Sequence, residues 1–166
     1  MGTQQILLLV LSVIVVGATL AVGITMFNQQ SVNSNRSAII ADLNYIGANS
    51  LTFYRAPRSM GGGEQHWIPL DAEGNLDNNR GDALGLWLNY QDYEESADGD
   101  KYYTNNGVFW MNLAPGLSDE LIIIGSGTEK GIDRSYSSAG HGETGCIEVE
   151  LRVIGDTKKF SLKVLN

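Results

Sequence analysis

Few side chains in this sequence could carry acid–base chemistry. Only His66 and His141 could exchange protons near neutral pH, and neither has a convincing catalytic partner. His141 lies in the glycine-rich stretch 139–145, which is typical of a solvated turn. The sequence also lacks a Gly-x-Ser-x-Gly nucleophile elbow and a His-Glu-x-x-His helix. We therefore predict that the chain is not an enzyme.

Acidic side chains form the second group with candidate chemistry, because they crowd two loops and offer the oxygen ligands that calcium prefers. The two candidate sets are Asp71, Glu73, Asn75 and Asp77, and Asp92, Glu94, Asp98 and Asp100. Neither set follows the EF-hand pattern. We expect solvated loops and no resident cofactor, with bound calcium as the alternative.

Two glycine-rich stretches superficially resemble phosphate loops. Gly61, Gly62 and Gly63 do not follow a strand, which favours a flexible turn. The stretch 125–131 lacks the Lys-Ser/Thr ending and a following helix, which favours a mobile loop. The single cysteine, Cys146, excludes an internal disulfide and a cysteine zinc site, and we expect it in the core.

The charge distribution divides the chain into two parts. The net charge is −8, which argues against a nucleic-acid surface, because phosphate binding requires clustered Lys and Arg. The first charged side chain is Arg36, and the stretch 6–27 is apolar except for Ser12, Thr19 and Thr25. A bilayer-spanning helix needs about 20 such residues.

Two familiar kinds of apolar N-terminal segment fit this stretch poorly. A signal peptide has a basic start and a shorter apolar core, of about 7 to 15 residues. A single-pass anchor is oriented by flanking basic residues, which are missing here. We therefore expect the gene to encode a short basic leader, ending in Gly, upstream of Met1.

The residues that follow keep a helical period but become amphipathic. Apolar side chains recur at steps near three or four, and they are Ile39, Ile40, Leu43, Ile46, Leu51 and Tyr54. We expect the same helix to continue to a point before Pro57, because the residue before proline avoids helical geometry. Its apolar stripe should pack on a sheet.

The remainder of the chain is predicted to be mostly β. Apolar runs at 84–90, 102–113 and 121–124 are separated by turns at Asp98-Gly99 and Asn106-Gly107.

The clearest strand signal is a C-terminal hairpin around Gly155 and Asp156. A two-residue loop there would place Leu151 opposite Phe160 and Val149 opposite Leu162. The same register would pair Ile147 with Val164 and Glu148 with Lys163.

A few short residues, a long apolar run and an amphipathic helix together resemble the N-terminus of type IV pilins and pseudopilins. The resemblance covers roughly the first 55 residues. It implies a mature N-terminus at Met1, produced by a prepilin peptidase. It also implies that Met1, Gln4 and Gln5 are polymerisation residues, and that the helix unwinds locally between Gly17 and Gly23 on assembly. The family has an acidic residue at the fifth position, where this chain has Gln5, which cannot neutralise an amine.

The resemblance implies an α+β fold in which a long N-terminal helix packs on an antiparallel sheet. The expected parts are an apolar helix at 1–31, its amphipathic half at 32–56 and a globular β head at 57–166. The implied function is that of a pilin, which leaves the inner membrane with the help of a pilus assembly machinery and forms a homopolymeric filament on the bacterial cell surface.

Alternative functions remain open at this point. They are a pseudopilin or minor pilin of a secretion or DNA-uptake machine, a single-pass envelope protein with a ligand-binding head, and an archaeal relative. Asn35 begins an Asn-Arg-Ser glycosylation acceptor and is a candidate for modification.

Overall fold

The computed structural model describes most of the chain, namely residues 2–68, 70, 75, 83–89, 93–94, 100–112, 120–131, 145–157 and 159–166. The chain divides into two compact units, Met1–Ser34 and Asn35–Asn166. We describe each unit by itself.

The N-terminal unit is helical. Helix α1 spans Gly2–Arg55 and therefore begins in this unit and ends in the second. It continues without interruption through Gly17 and Gly23, and no atom outside its own backbone lies within 4 Å of a Cβ added at either glycine. The predicted unwinding concerns the assembled state, so it stays a prediction.

The second unit combines the remainder of α1 with an antiparallel sheet, which confirms the α+β expectation. In the described residues the sheet has six strands in the order β1-β2-β3-β4-β5-β6, so each of these strands pairs with its neighbours in sequence. The strands are β1 (Tyr93–Glu94), β2 (Asp100–Thr104), β3 (Gly107–Asn112), β4 (Glu120–Lys130), β5 (Cys146–Ile154) and β6 (Lys159–Val164).

The core lies between α1 and one face of this sheet. Ile39, Leu43 and Phe53 on the helix are fully buried, as the 3.6-residue period predicts. On β4, Leu121 and Ile123 are fully buried and alternate with half-buried neighbours, as expected for a strand covered mainly on one face.

Glycines allow the helix to lie close to the sheet. A Cβ on Gly125 of β4 would lie 2.9 Å from Cγ2 of Ile39 and 2.8 Å from Cε1 of Phe109. A Cβ on Gly47 of α1 would lie 2.7 Å from Cδ2 of Leu151 on β5. The backbones approach at these points because neither glycine has a side chain.

The stretch 125–131, expected to be a mobile loop, is instead mostly strand, since β4 runs to Lys130. That prediction was wrong. Gly125 pairs with Phe109 and Gly127 pairs with Gly107, so the glycines extend the β-ladder. They resemble turn residues in the sequence, but here they make room for the helix that crosses them.

The run at 84–90, expected to be extended, was also assigned incorrectly. Residues Ala83–Leu88 form a short helix, α2. Ala83 and Leu84 are buried, and the ring of Trp87 contacts that of Phe53 edge-on, with centroids 5.9 Å apart. Contact with the end of α1 is a tertiary effect that the short apolar run does not reveal.

The C-terminal hairpin forms, but its register differs from the predicted one. Leu151 pairs with Leu162 and Val149 with Val164, whereas Phe160 and Leu162 were expected at those positions. Ile147 is not among the β5 residues paired with β6, and Lys163 pairs with Glu150 instead of Glu148.

The hairpin loop is longer than predicted, because Ile154 pairs with Lys159 and residues 155–158 connect the strands. A shift of two residues leaves every side chain on its predicted face, so the alternating pattern alone could not distinguish the two registers. Gly155 lies against the ring of Tyr54, with no room for a Cβ. The register thus depends partly on the end of α1.

The β2–β3 turn is displaced by one residue from the predicted Asn106-Gly107. Thr104 pairs with Gly107, so Asn105 and Asn106 form the turn. The Thr104 hydroxyl accepts hydrogen bonds from the backbone N–H groups of Asn106 (3.0 Å) and Gly107 (3.2 Å). The predicted turn at Asp98-Gly99 lies outside the described residues.

The chain after α1 folds back over the end of the helix. A 3₁₀ turn at Arg58–Met60 leads to Gly61 in the left-handed region, at φ 83°. The N–H of Gly63 then donates to Phe53 O at 2.9 Å, and that of Gln65 to Tyr54 O at 2.7 Å. The glycine stretch is a turn, as predicted, and it satisfies carbonyls that a helix terminus leaves open.

Candidate functional site

The most prominent surface in the chain is the apolar N-terminal segment of α1, residues 6–27. Every large hydrophobic side chain in it is exposed, by 50% at Val10 up to 75% at Phe27. Isolated exposed apolar residues are ordinary, but a continuous apolar surface indicates contact with lipid or with another protein.

The polar side chains within this segment make hydrogen bonds inside the helix. The Ser12 hydroxyl donates to Leu9 O at 2.7 Å, that of Thr19 to Val15 O at 2.8 Å and that of Thr25 to Val22 O at 2.8 Å. No hydroxyl proton in the segment needs water, and the helix satisfies its own backbone groups. Both properties suit a surface that leaves water.

By length and composition, α1 is able to cross a membrane, and it is the one such helix in the described part of the chain. The apolar portion is entirely unburied within the single chain. The helix is therefore compatible with membrane anchoring.

The predicted polymerisation residues lie at the start of this helix. Gln4 and Gln5 are exposed in the first turn of α1, whereas Met1 lies outside the described residues. The first turn contains no acidic residue, so no carboxylate there offsets the partial positive charge of the helix N-terminus.

Asn35, the predicted glycosylation residue, connects α1 to two parts of the sheet. Its Nδ2 donates to Asn106 O at 3.0 Å and to Thr128 Oγ1 at 3.4 Å, while its Oδ1 accepts from Glu129 N at 3.4 Å. A glycan would replace one of the two N–H groups of Nδ2 and so remove at least one of these bonds; the modification stays a prediction. The structure assigns this residue a role in helix placement.

Asp42 adds a second polar contact to the same turn, and sequence reasoning missed it. Its Oδ2 accepts from Asn106 Nδ2 at 2.9 Å and from Thr104 Oγ1 at 3.3 Å. Asn35 and Asp42 are seven positions apart, or about two helical turns, so they lie on one side of α1. In the sequence, the seven-residue spacing of these two polar residues and the consecutive asparagines of the turn were the signals that could have revealed this contact.

The two acidic sets proposed for calcium fall largely outside the described residues. Among their members the structure describes Asn75, together with the backbone of Glu94 on β1 and of Asp100 on β2. Within the described ranges no three His, Cys, Asp or Glu side chains converge on a common point. The calcium alternative stays a prediction.

The remaining described candidates for chemistry are His66, which contacts a backbone carbonyl, and Cys146, which lies in the core. His66 Nδ1 lies 3.0 Å from Glu64 O, where it acts as a donor, and His141 lies outside the described residues. Cys146 is buried at 3% exposure, which confirms its predicted core position.

One surface cluster on β4 and β5 carries a shifted pKa. Arg152 Nε donates to Glu150 Oε1 at 2.6 Å, and Nη1 donates to Glu120 Oε1 at 3.4 Å. The hydrogen bond and charge of Glu150, followed by those of Glu120, raise the pKa of Arg152 above its ordinary value. This arginine remains a cation and cannot act as a general base.

Comparisons with protein-family models, with curated proteins and with solved structures gave no match. The apolar segment 6–27 and the helix–sheet contacts of Asn35 and Asp42 are therefore the features from which function can be argued.

Proposed function

We propose that this chain is a structural subunit of the type IV pilin kind, held in a membrane by its N-terminal helix and then assembled with other copies into a surface filament. The observation that carries the proposal is the continuous exposed apolar segment 6–27, with every hydroxyl proton bonded internally. A structural role requires no catalytic group.

Segment 6–27 gains free energy when lipid or protein covers it. Transfer of apolar surface out of water yields about 25 cal/mol per Å². Lipid can provide that cover, and so can a bundle of identical helices. A subunit that exchanges its lipid contacts for contacts with neighbouring helices leaves the membrane without exposing the segment to water.

The second support is the attachment of the same helix to a sheet. From Ile39 to Tyr54 the apolar stripe of α1 is buried, and Asn35 and Asp42 bind the sheet by hydrogen bonds. A helix with one part buried in a head and another part exposed and apolar fits the architecture implied by the pilin resemblance. Gln5 departs from that family, so register between subunits needs a contact other than a fifth-position carboxylate.

The proposal is tested with Val16→Arg, a charge near the middle of segment 6–27. A cation at the centre of a membrane helix costs about 2.5 to 3.5 kcal/mol on insertion scales. We expect the variant to be lost from the membrane fraction and from sheared surface filaments, which electron microscopy and N-terminal mass spectrometry would identify.

Val16→Ile is the matched control, because it keeps the site apolar. We expect it to behave as the parent chain does. Recovery of the parent as a water-soluble monomer, or normal filaments from Val16→Arg, would contradict the proposal.

A further inference from the structure

Strand β6 forms an open edge of the sheet and carries a partly uncovered apolar row. Among the described residues β6 pairs with β5 alone, so its other edge is free to accept a strand. The side chains of Phe160, Leu162 and Val164 lie on the face that α1 covers, where a Cβ on Gly47 would approach Phe160 Cε1 to 2.9 Å. They nevertheless remain 42–47% exposed. We call these three residues the apolar triplet.

The backbone groups of the apolar triplet point to the open edge. Leu165 N donates to Glu148 O at 2.9 Å, so Leu165 directs its N–H toward β5. This direction alternates along an antiparallel strand, so Lys159, Ser161 and Lys163 also face β5, and the triplet faces away from it. The N–H and C=O groups of all three triplet residues are thus available to a further strand.

The apolar triplet is complementary to itself. When two copies of β6 lie antiparallel about a two-fold axis at Leu162, Leu162 meets its own copy and Phe160 meets Val164. These residues then form three hydrogen-bonded pairs, and each pair exchanges two N–H···O bonds. The same arrangement places both apolar triplets on one face, where their side chains cover one another across the junction.

The charges of β6 permit this register and oppose the neighbouring ones. Lys159 and Lys163 are exposed on the other face, and lysines ordinarily limit pairing at an edge. An axis at Ser161 would put Lys159 opposite Lys163, and an axis at Lys163 would put that lysine opposite its own copy, which is unfavourable. With the axis at Leu162, Lys163 lies opposite Ser161 and has Glu150 as its neighbour on β5, so no lysine faces another.

We propose that two copies of this chain associate through their β6 edges, antiparallel about a two-fold axis at Leu162, to form one continuous sheet. A two-fold axis keeps the same hand of strand twist across the junction. The axis is perpendicular to the sheet, so it reverses the direction of helix residues 35–55. Copies in one membrane or one filament have parallel helices. The inference therefore goes beyond the proposed function, because the pair joins copies from two membranes or two filaments.

The contact in a single pair is small. A stable interface buries about 1,200–2,000 Å² in total, which three half-exposed side chains in each copy do not reach. One pair is therefore short-lived, whereas many pairs repeated along two filaments act together. The measurement must trap transient pairs.

Oxidative cross-linking of the full-length chain in a nonionic detergent traps such pairs. Leu162→Cys places two thiols at the axis, where the Cα atoms of a hydrogen-bonded pair are about 5.5 Å apart and within disulfide range. Ser161→Cys is the matched control, because it exposes a thiol on the same strand with its two copies about 8 Å apart, beyond that range. The native Cys146 is buried.

We expect Leu162→Cys to form a disulfide dimer at least about tenfold faster than Ser161→Cys, with the 162–162 link identified by mass spectrometry. Equal rates in the two variants would overturn the proposal.

A designed ion pair tests the register. Ser161→Glu, added to Leu162→Cys, faces the second copy's Lys163 twice in each pair, so the cross-linking rate should rise about three- to tenfold. Adding Lys163→Ala should abolish that gain, whereas a gain that came from the intrachain neighbour Arg152 would persist. A missing gain, or one that survives Lys163→Ala, would overturn the two-fold contact. The proposed function would stand in either case, because none of these substitutions changes segment 6–27.

Discussion

At the scale of single residues, two glycines allow the helix and the sheet of the head to pack closely. Gly47 and Gly125 lie where α1 crosses the sheet, and a Cβ at either would approach side chains of the core to below 3.0 Å. Gly125 is the more constrained, because its neighbours Ile39 and Phe109 are both fully buried. A glycine in a strand often marks close approach of another backbone.

Gly125→Ala should therefore destabilise the head. The methyl group must displace Ile39 or Phe109, and forced overpacking of this kind costs about 1 to 3 kcal/mol. Chemical denaturation of the full-length chain, followed by tryptophan fluorescence, measures the free energy of unfolding.

Gly23→Ala is the control for this substitution, since nothing lies within 4 Å of a Cβ there and alanine favours a helix. It should leave head stability unchanged. A neutral Gly125→Ala would show that the helix does not approach β4 as closely as described.

At the scale of elements, the helix and the sheet are joined by apolar packing and by a polar anchor at one end. Packing alone permits sliding of a helix along a sheet, whereas directional hydrogen bonds specify one position. Asn35 supplies both a donor and an acceptor to that anchor, and Asp42 binds the same turn. The pair defines where α1 starts to lie on the sheet.

Asn35→Ala should weaken this anchor. The substitution leaves the carbonyl of Asn106 and the amide of Glu129 without their side-chain partner, at a cost of about 1 to 3 kcal/mol. The expected result is a lower denaturation midpoint and faster amide exchange at Glu129.

Asn44→Ala tests whether that loss is specific, because Asn44 is an exposed asparagine on the same helix. It should change neither measurement. Equal destabilisation by the two substitutions would indicate a general effect on the helix and would refute the anchor.

At the scale of the whole molecule, the chain joins a segment suited to hydrocarbon to an acidic head. All charged side chains lie from Arg36 onward, and the net charge is −8. No cluster of three His, Cys, Asp or Glu side chains occurs among the residues that the structure describes. Within those residues, the head has a buried core between α1 and the sheet and hydrogen bonds from Asn35 and Asp42 to the β2–β3 turn.

Because neither acidic set follows the EF-hand pattern, we expect a chelator to leave the Tm of the full-length chain unchanged. Differential scanning calorimetry with and without EDTA provides the measurement. A decrease in Tm that calcium reverses and magnesium does not would instead locate a structural calcium ion in one of the acidic loops.

The features that sequence determined are those set by local patterns. The apolar run before Arg36, the period of three to four from Ile39 and the alternation around Leu151 predicted the long helix, its packing face and the C-terminal hairpin. Such patterns report on one element at a time, because they record which side of it meets water.

Tertiary structure decided the features that depend on contact between two secondary-structure elements. Gly125 belongs to a strand because a helix crosses it, α2 forms where Trp87 reaches Phe53, and the hairpin register differs by a step that preserves both faces. In each case the deciding contact joins residues far apart in the chain, which a local pattern does not encode.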